Sequence, residues 1–203
     1  MLLKIFNENP NSRHIDIVVD CINKGGIVVY PTDTIYALGC DILSQKAVAN
    51  IAKIKGTSAD KDHFSLICCD LSNLSEFTKP LPNNIFKTMK ANLPGAFTFI
   101  LNANNSVPAI FKSKKKTVGI RVPDNNIIRE IVRRLGRPIV TTSIKDTDEI
   151  VEYMTDPELI YEKYQNLVDI VIDGGFGGNV PSTIIDCTDD EPKIVRQGKG
   201  ILK

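Results

Sequence analysis

The sequence predicts a layered α/β domain, a mixed and twisted sheet with helices on its faces. Segments with apolar residues at helical spacing alternate with short β-branched runs along the chain. The 203 residues are 42% hydrophobic and 24% charged, ordinary globular composition and enough for one substantial core. No repeat or low-complexity linker divides them, so a single domain is expected over 1–203. Connections near the C-terminus are too short for an all-parallel sheet.

The first element reads as a helix, with Ile15, Val18, Val19 and Ile22 on one stripe and the pair Gly25 and Gly26 placed to end it. Ile27, Val28, Val29 and Tyr30 form a strand stopped by Pro31. Ser44 can cap a helix carrying Val48, Ile51, Ala52 and Ile54, which Gly56 closes. A strand at 64–68, a helix within 84–90 and a strand at 97–101 follow, the last entered through Leu93, Pro94 and Gly95. Residues 117–122 alternate, placing Val118, Ile120 and Val122 on one face and Gly119 and Arg121 on the other. A helix through Ile127, Ile128, Ile131, Val132 and Leu135 ends at Gly136 and leads into a strand at 139–142. A helix from about Asp156, with Pro157 in its first turn, precedes a strand at 168–172. The remainder is β-rich, at 182–186 and 193–196.

Composition excludes several classes. Lys and Arg number 25 against 24 Asp and Glu, so no global field draws the chain onto nucleic acid or a membrane. The five cysteines form no CxxC pair, and His14 and His63 are the only histidines, which disfavours both a disulfide framework and a zinc site. The N-terminus has no apolar signal region, and no stretch approaches the ~18 apolar residues of a membrane span. The reading is a soluble, reduced, cytoplasmic protein.

Residues 173–179, DGGFGGN, resemble a phosphate loop in composition only. They lack GK[ST], strand rather than helix follows, and a turn between strands is expected. There is also no GxSxG or HExxH motif. The informative stretch is YPTDTIYALG at 30–39, where a buried strand runs into hydroxyls, a carboxylate and a tyrosine. Strand ends are where α/β folds place ligands, although a capped turn reads the same way. Other polar groups sit at strand ends or helix ends: Lys55, Arg121, Thr141, Thr142, Ser143, Lys145, Ser182, Thr183 and Arg196. Bases and hydroxyls in combination suit a ligand with several phosphate or carboxylate oxygens.

Seven ordered blocks bind these pieces together: YPTDTIYALG at 30–39, IKG around Lys55, LPGAFTFIL at 93–101, VGIRVP at 118–123, PIVTTS at 138–143, STIID at 182–186 and RQGKG at 196–200. They resemble the YrdC-like family of threonylcarbamoyl-adenylate synthases, and its YciO branch in particular, over nearly the whole chain. The resemblance implies an open twisted sheet with a concave basic cavity. It also implies a reaction in which threonine and bicarbonate give a carbamate that attacks the α-phosphate of ATP. Pyrophosphate leaves, and threonylcarbamoyl-AMP serves modification of a tRNA adenosine. ATP would be a substrate accompanied by Mg2+, with no metal held tightly by protein ligands.

Carried over by position, Thr34, Arg121, Thr141 and Ser182 match residues holding the amino acid, while Lys55, Thr117, Ser143 and Arg196 match residues around ATP. Lys55, Ser143 and Lys145 are the catalytic candidates. The chain departs from the synthase pattern at Thr57, where an arginine is expected, at Lys145, where an asparagine is expected, and at Cys68, where a histidine is expected. If positions 57 and 145 face the same phosphates, the pocket keeps its charge but moves a cation. These departures predict weak synthase activity or a different reaction.

The resemblance also implies binding of double-stranded RNA. A basic run at 112–116 and Arg129, Arg133, Arg134 and Arg137 could contact phosphates, or could be a solvated turn and helix face. The rival to an enzyme is therefore a binding protein that uses the cavity for RNA or nucleotide.

Overall fold

Local signals place most of the elements where the pattern predicts them. The computed structural model describes residues 1–56, 64–72, 74–107, 116–144 and 152–203. After strand β1 (Leu2–Lys4), the Asn11 side chain accepts from the Arg13 and His14 amides and opens helix α1 (Ser12–Asn23). Strands β2 (Val28–Tyr30) and β3 (Ala37–Asp41) form an antiparallel hairpin. Ser44 caps helix α2 (Gln45–Ile54) through the Ala47 amide at 3.3 Å. Strand β4 (Ser65–Ile67), helix α3 (Asn83–Asn92), strand β5 (Phe97–Asn102) and strand β6 (Thr117–Arg121) come next. Helix α4 (Asn126–Leu135) is capped by Asn125 and ends at Gly136, whose φ of 73° is the left-handed conformation that suits glycine. Strand β7 (Ile139–Ser143), the short helix α5 (Glu152–Thr155), helix α6 (Pro157–Tyr164) and strands β8 (Ile170–Asp173), β9 (Thr183–Asp186) and β10 (Lys193–Arg196) complete the chain.

Among the described residues the strands form one ten-stranded sheet in the order β1-β8-β2-β3-β7-β4-β6-β5-β9-β10. It is mixed: β1 and β2 run parallel to β8, β4 to β6 and β5 to β9, while the remaining pairs are antiparallel. Period-two alternation divides its residues between two cores. Val29, Leu38, Leu66, Val118, Ile120, Val140 and Phe99 pack with α2, α3 and α6 on one face. Val28, Tyr30, Ala37, Ile67 and Ile139 pack with α1 and α4 on the other. That second core contains no residue of β5, β6, β9 or β10. Among the described residues no helix of this core packs against those strands, and polar residues gather there.

Two strands were not legible in the pattern. Strand β3 is buried at all five positions, so it lacks the alternation expected of a half-exposed strand. Strand β1 is three residues long and sits at the sheet edge. The glycine-rich segment does join two strands, but β8 and β9 stand second and ninth in the sheet. It is a crossover lying on the β2–β3 loop rather than a tight turn. The Gly178 amide donates to Thr34 O at 2.9 Å, and the Tyr36 hydroxyl donates to Gly175 O at 2.7 Å.

Candidate functional site

The uncovered face carries a row of small polar side chains set by register. Ser65 on β4 stands between Gly119 on β6 and Thr141 on β7, while Thr98 on β5 pairs with Ile184, and Ile184 with Arg196. Above them is a cavity of about 440 Å³. Lys55, Arg121, Thr141, Thr142, Ser143, Ser182 and Arg196, seven of the residues singled out in the sequence, line it.

Arg121 is at the centre of its chemistry. Its side chain is 5% exposed, with Nη2 donating to Thr34 Oγ1 at 3.0 Å and to Asp33 Oδ1 at 3.4 Å. Its Nε is buried and has no hydrogen-bond partner, a costly state for a charged group. Burial lowers the guanidinium pKa, Asp33 acts against that, and the neighbouring charge of Arg196 adds to it. An arginine remains a cation under such a shift. A buried cation with an unused donor fits an incoming carboxylate or phosphate oxygen.

Lys55 reaches the same cavity from the opposite side of the sheet. It caps the C-terminus of α2, and its Nζ donates to Thr142 Oγ1 at 2.6 Å. Arg196 donates from Nη2 to Ser182 O at 2.7 Å, and the Ser182 hydroxyl is paired with Thr98 Oγ1 at 2.8 Å. Three cationic side chains thus stand around one hollow in a chain of net charge +1. A near-neutral sum conceals a local basic site.

Two hydroxyl pairs support this arrangement. Tyr30 passes over Gly39 to meet Thr141 Oγ1, and a Cβ on Gly39 would stand 2.7 Å from the tyrosine ring. In the β2–β3 loop Thr32 Oγ1 contacts Thr34 Oγ1 at 3.0 Å, and Thr34 lies behind Arg121 rather than on the cavity wall. Thr117 shares the face of Gly119 and Arg121 on β6 but is not part of the lining. Lys145 and Thr57 lie outside the described residues, as do residues 112–115 of the basic run.

Sequence reasoning missed Ser65 and Thr98, because only the strand order brings β4 and β5 beside β6. Cys68 lies away from the cavity, buried in the core of the α2 face, where burial and then the charges of Cys69, Asp70 and Glu76 push its thiol up to about 12. It is a neutral packing residue outside the cavity lining. On α4, Arg133 and Arg134 pair with Glu130, Arg134 also pairs with Asp16, and Arg129 donates to Cys69 O. Arg137 pairs with Asp41 at the end of β3. Among the described residues no helix is long and apolar enough to cross a membrane.

The fold and the cavity together define an α/β protein with a basic hollow on one face of a mixed sheet. The family model Sua5/YciO/YrdC, described as telomere recombination, matches residues 20–198, and the chain belongs to this family. It is 42% identical to the YciO protein of Escherichia coli K12 over 201 residues, covering 98% of this chain and 96% of that protein. The crystal structure of E. coli YciO superposes with a TM-score of 0.91 at 41% identity, covering 99% of this chain and 97% of that one. The threonylcarbamoyl-AMP synthase of Bacillus subtilis is 31% identical over 197 residues, 96% of this chain and 56% of the synthase. Pyrococcus abyssi Sua5 complexed with L-threonine gives a TM-score of 0.85 at 26% identity, covering 98% of this chain and 57% of that one. The chain spans little more than half the length of these last two relatives.

Proposed function

We propose that the cavity binds ATP or an adenylate together with an amino acid, and that the chain makes or processes threonylcarbamoyl-AMP for tRNA modification. One observation carries the reading: the buried Arg121 guanidinium, with Nε unused, at the wall of a cavity that Lys55 and Arg196 also line. Arg121 and Thr141 would hold the amino-acid carboxylate, with Ser182 beside them. Lys55, Ser143 and Arg196 would hold the phosphates, and Mg2+ would enter with ATP as part of the substrate. The L-threonine bound by the Pyrococcus relative supports an amino-acid ligand for the fold.

The chemistry asks little of the protein beyond charge and position. Threonine and bicarbonate condense with loss of water to a carbamate, whose anionic oxygen attacks the α-phosphorus. The bond from that phosphorus to the bridging oxygen breaks, and pyrophosphate carries away the electron pair. Cations that offset the repulsion between two anions supply most of the acceleration. If position 57 faces the phosphates, Thr57 in place of the expected arginine removes one such contact, and losses of this kind cost about 100-fold or more in rate. Threonine- and bicarbonate-dependent release of pyrophosphate from ATP tests the reading; a slow but dependent rate is expected. Calorimetry with ATP, AMP and a short RNA duplex tests the rival. Tight RNA binding with no affinity for either nucleotide would overturn the proposal in favour of an RNA-binding protein.

A further inference from the structure

The Thr141 hydroxyl is oriented by a buried neighbour on the same face of the sheet. Tyr30 is fully buried, and the hydrogen bond of its hydroxyl is to Thr141 Oγ1. Burial raises the phenol pKa well beyond its ordinary value, against the opposing effects of the Thr141 bond and the Arg121 charge, so Tyr30 keeps its proton. A buried O–H without an acceptor is costly, so Tyr30 donates and Thr141 accepts. The proton of Thr141 is then left for a group in the cavity that this threonine lines.

The other threonine near Arg121 is oriented in the opposite sense. Thr32 Oγ1 donates its single proton to Ile35 O at 2.8 Å, so toward Thr34 it can only accept. The Thr34 proton is directed to Thr32, and Thr34 Oγ1 accepts from Arg121 at 3.0 Å. Thr34 thus steadies the guanidinium, while Thr141 is the threonine with a proton to give.

We propose that Tyr30 is a positioning residue that fixes Thr141 as a hydrogen-bond donor to the carboxylate held beside Arg121. This rests on the amino-acid reading of the cavity. Gly39 is part of the device, since any side chain there would displace the tyrosine ring from its path to β7.

Calorimetry with L-threonine in the presence of ATP tests the proposal on wild type, Tyr30→Phe, Thr141→Val and the double variant. Tyr30→Phe keeps the ring in place and should weaken L-threonine about three- to tenfold, the scale of one hydrogen bond, with ATP affinity unchanged. In the Thr141→Val background the same substitution should change L-threonine affinity no further. Thermal unfolding supplies a readout independent of ligand: Thr141→Val strands the Tyr30 donor and lowers the midpoint, and adding Tyr30→Phe restores it. Thr141→Ser, which keeps the hydroxyl, should retain the dependence on Tyr30. Unchanged L-threonine affinity in Tyr30→Phe, or an equal loss with Val at position 141, would overturn the role of Tyr30 alone. A wild-type chain that binds no amino acid would overturn the amino-acid reading and this inference with it.

Discussion

Arg121 donates from Nη2 to Thr34 Oγ1 at 3.0 Å while its equally buried Nε meets no partner. The guanidinium is thus only partly satisfied by the protein. Burying such a charge is costly, and a ligand oxygen would offset part of that cost. Arg121→Met, which fills the same space without charge, should therefore unfold at the wild-type temperature or above it. The same variant should lose measurable affinity for L-threonine. Arg121→Lys should keep the charge and still lose at least about tenfold, because an ammonium cannot present two donors in one plane. Calorimetry and thermal unfolding on the two variants check this. A methionine variant that binds L-threonine normally would remove Arg121 from the site.

Lys55 approaches from the end of α2 and meets Thr142 at 2.6 Å. Its assigned role is with phosphate, so Lys55→Met should weaken ATP by about ten- to 100-fold, the range for hydrogen bonds to charged groups. L-threonine affinity should be little changed. Arg121→Lys should show the reverse selectivity. Titrating each ligand separately against both variants checks whether the cavity has two subsites; equal losses for both ligands would argue against the division.

Asp41 ties the end of β3 to Arg137. Burial works to raise its pKa, but the Arg137 hydrogen bonds and charge and the Leu43 amide outweigh burial, and its carboxyl titrates below the usual carboxylate value. Glu130 is lowered mainly by its hydrogen bond to Arg134, and Asp70 mainly by its hydrogen bonds to Ser72. A carboxylate with a lowered folded pKa contributes stability in full above its unfolded value of about 4. That contribution is lost as the pH falls through the lower folded value. Urea unfolding followed by circular dichroism should therefore show stability declining below pH ~4. Asp41→Asn should be less stable at neutral pH, with the two curves converging in acid.

Helices α1, α2, α4 and α6 were legible because their apolar stripes and end signals are local: Ser44, Gly136 and Asp156 act within a few residues of the elements they bound. The site was legible in part for a similar reason, since Lys55, Arg121 and Arg196 are charges at the ends of otherwise apolar elements. Ser65 and Thr98 look like ordinary polar residues in short strands. Only the order β7-β4-β6-β5-β9 makes them neighbours of Thr141 and Ser182, and that order is a long-range property with no local signature. Cys68 shows the converse: a departure visible in sequence that the fold turns away from the cavity.

The segment after β10 is tied to β9, one side of the cavity, through backbone and side-chain contacts. The Gly198 amide donates to Thr183 Oγ1 at 2.9 Å, and the Lys199 amide to Pro181 O at 2.8 Å. The Lys199 ammonium then reaches Asp33 O at 2.6 Å, so the tail joins β9 to the loop that carries Thr34. A Cβ at position 198 would stand 2.2 Å from Pro181 O and 2.6 Å from Ser182 O, both backbone atoms that cannot swing aside. Gly198→Ala must therefore move the tail away from β9 and carry Arg196 off Ser182 O. The expected cost is about 2 kcal/mol or more of stability, together with weaker binding of both L-threonine and ATP. Gly136→Ala is the control: it also replaces a glycine, but with no atom within 4 Å of the added carbon. Its left-handed φ should cost about 1 kcal/mol of stability with no change in either affinity. Urea unfolding and calorimetry on the two variants separate a backbone contact that shapes the cavity from one that only ends a helix. Wild-type affinities in a folded Gly198→Ala chain would show that the tail does not shape the site.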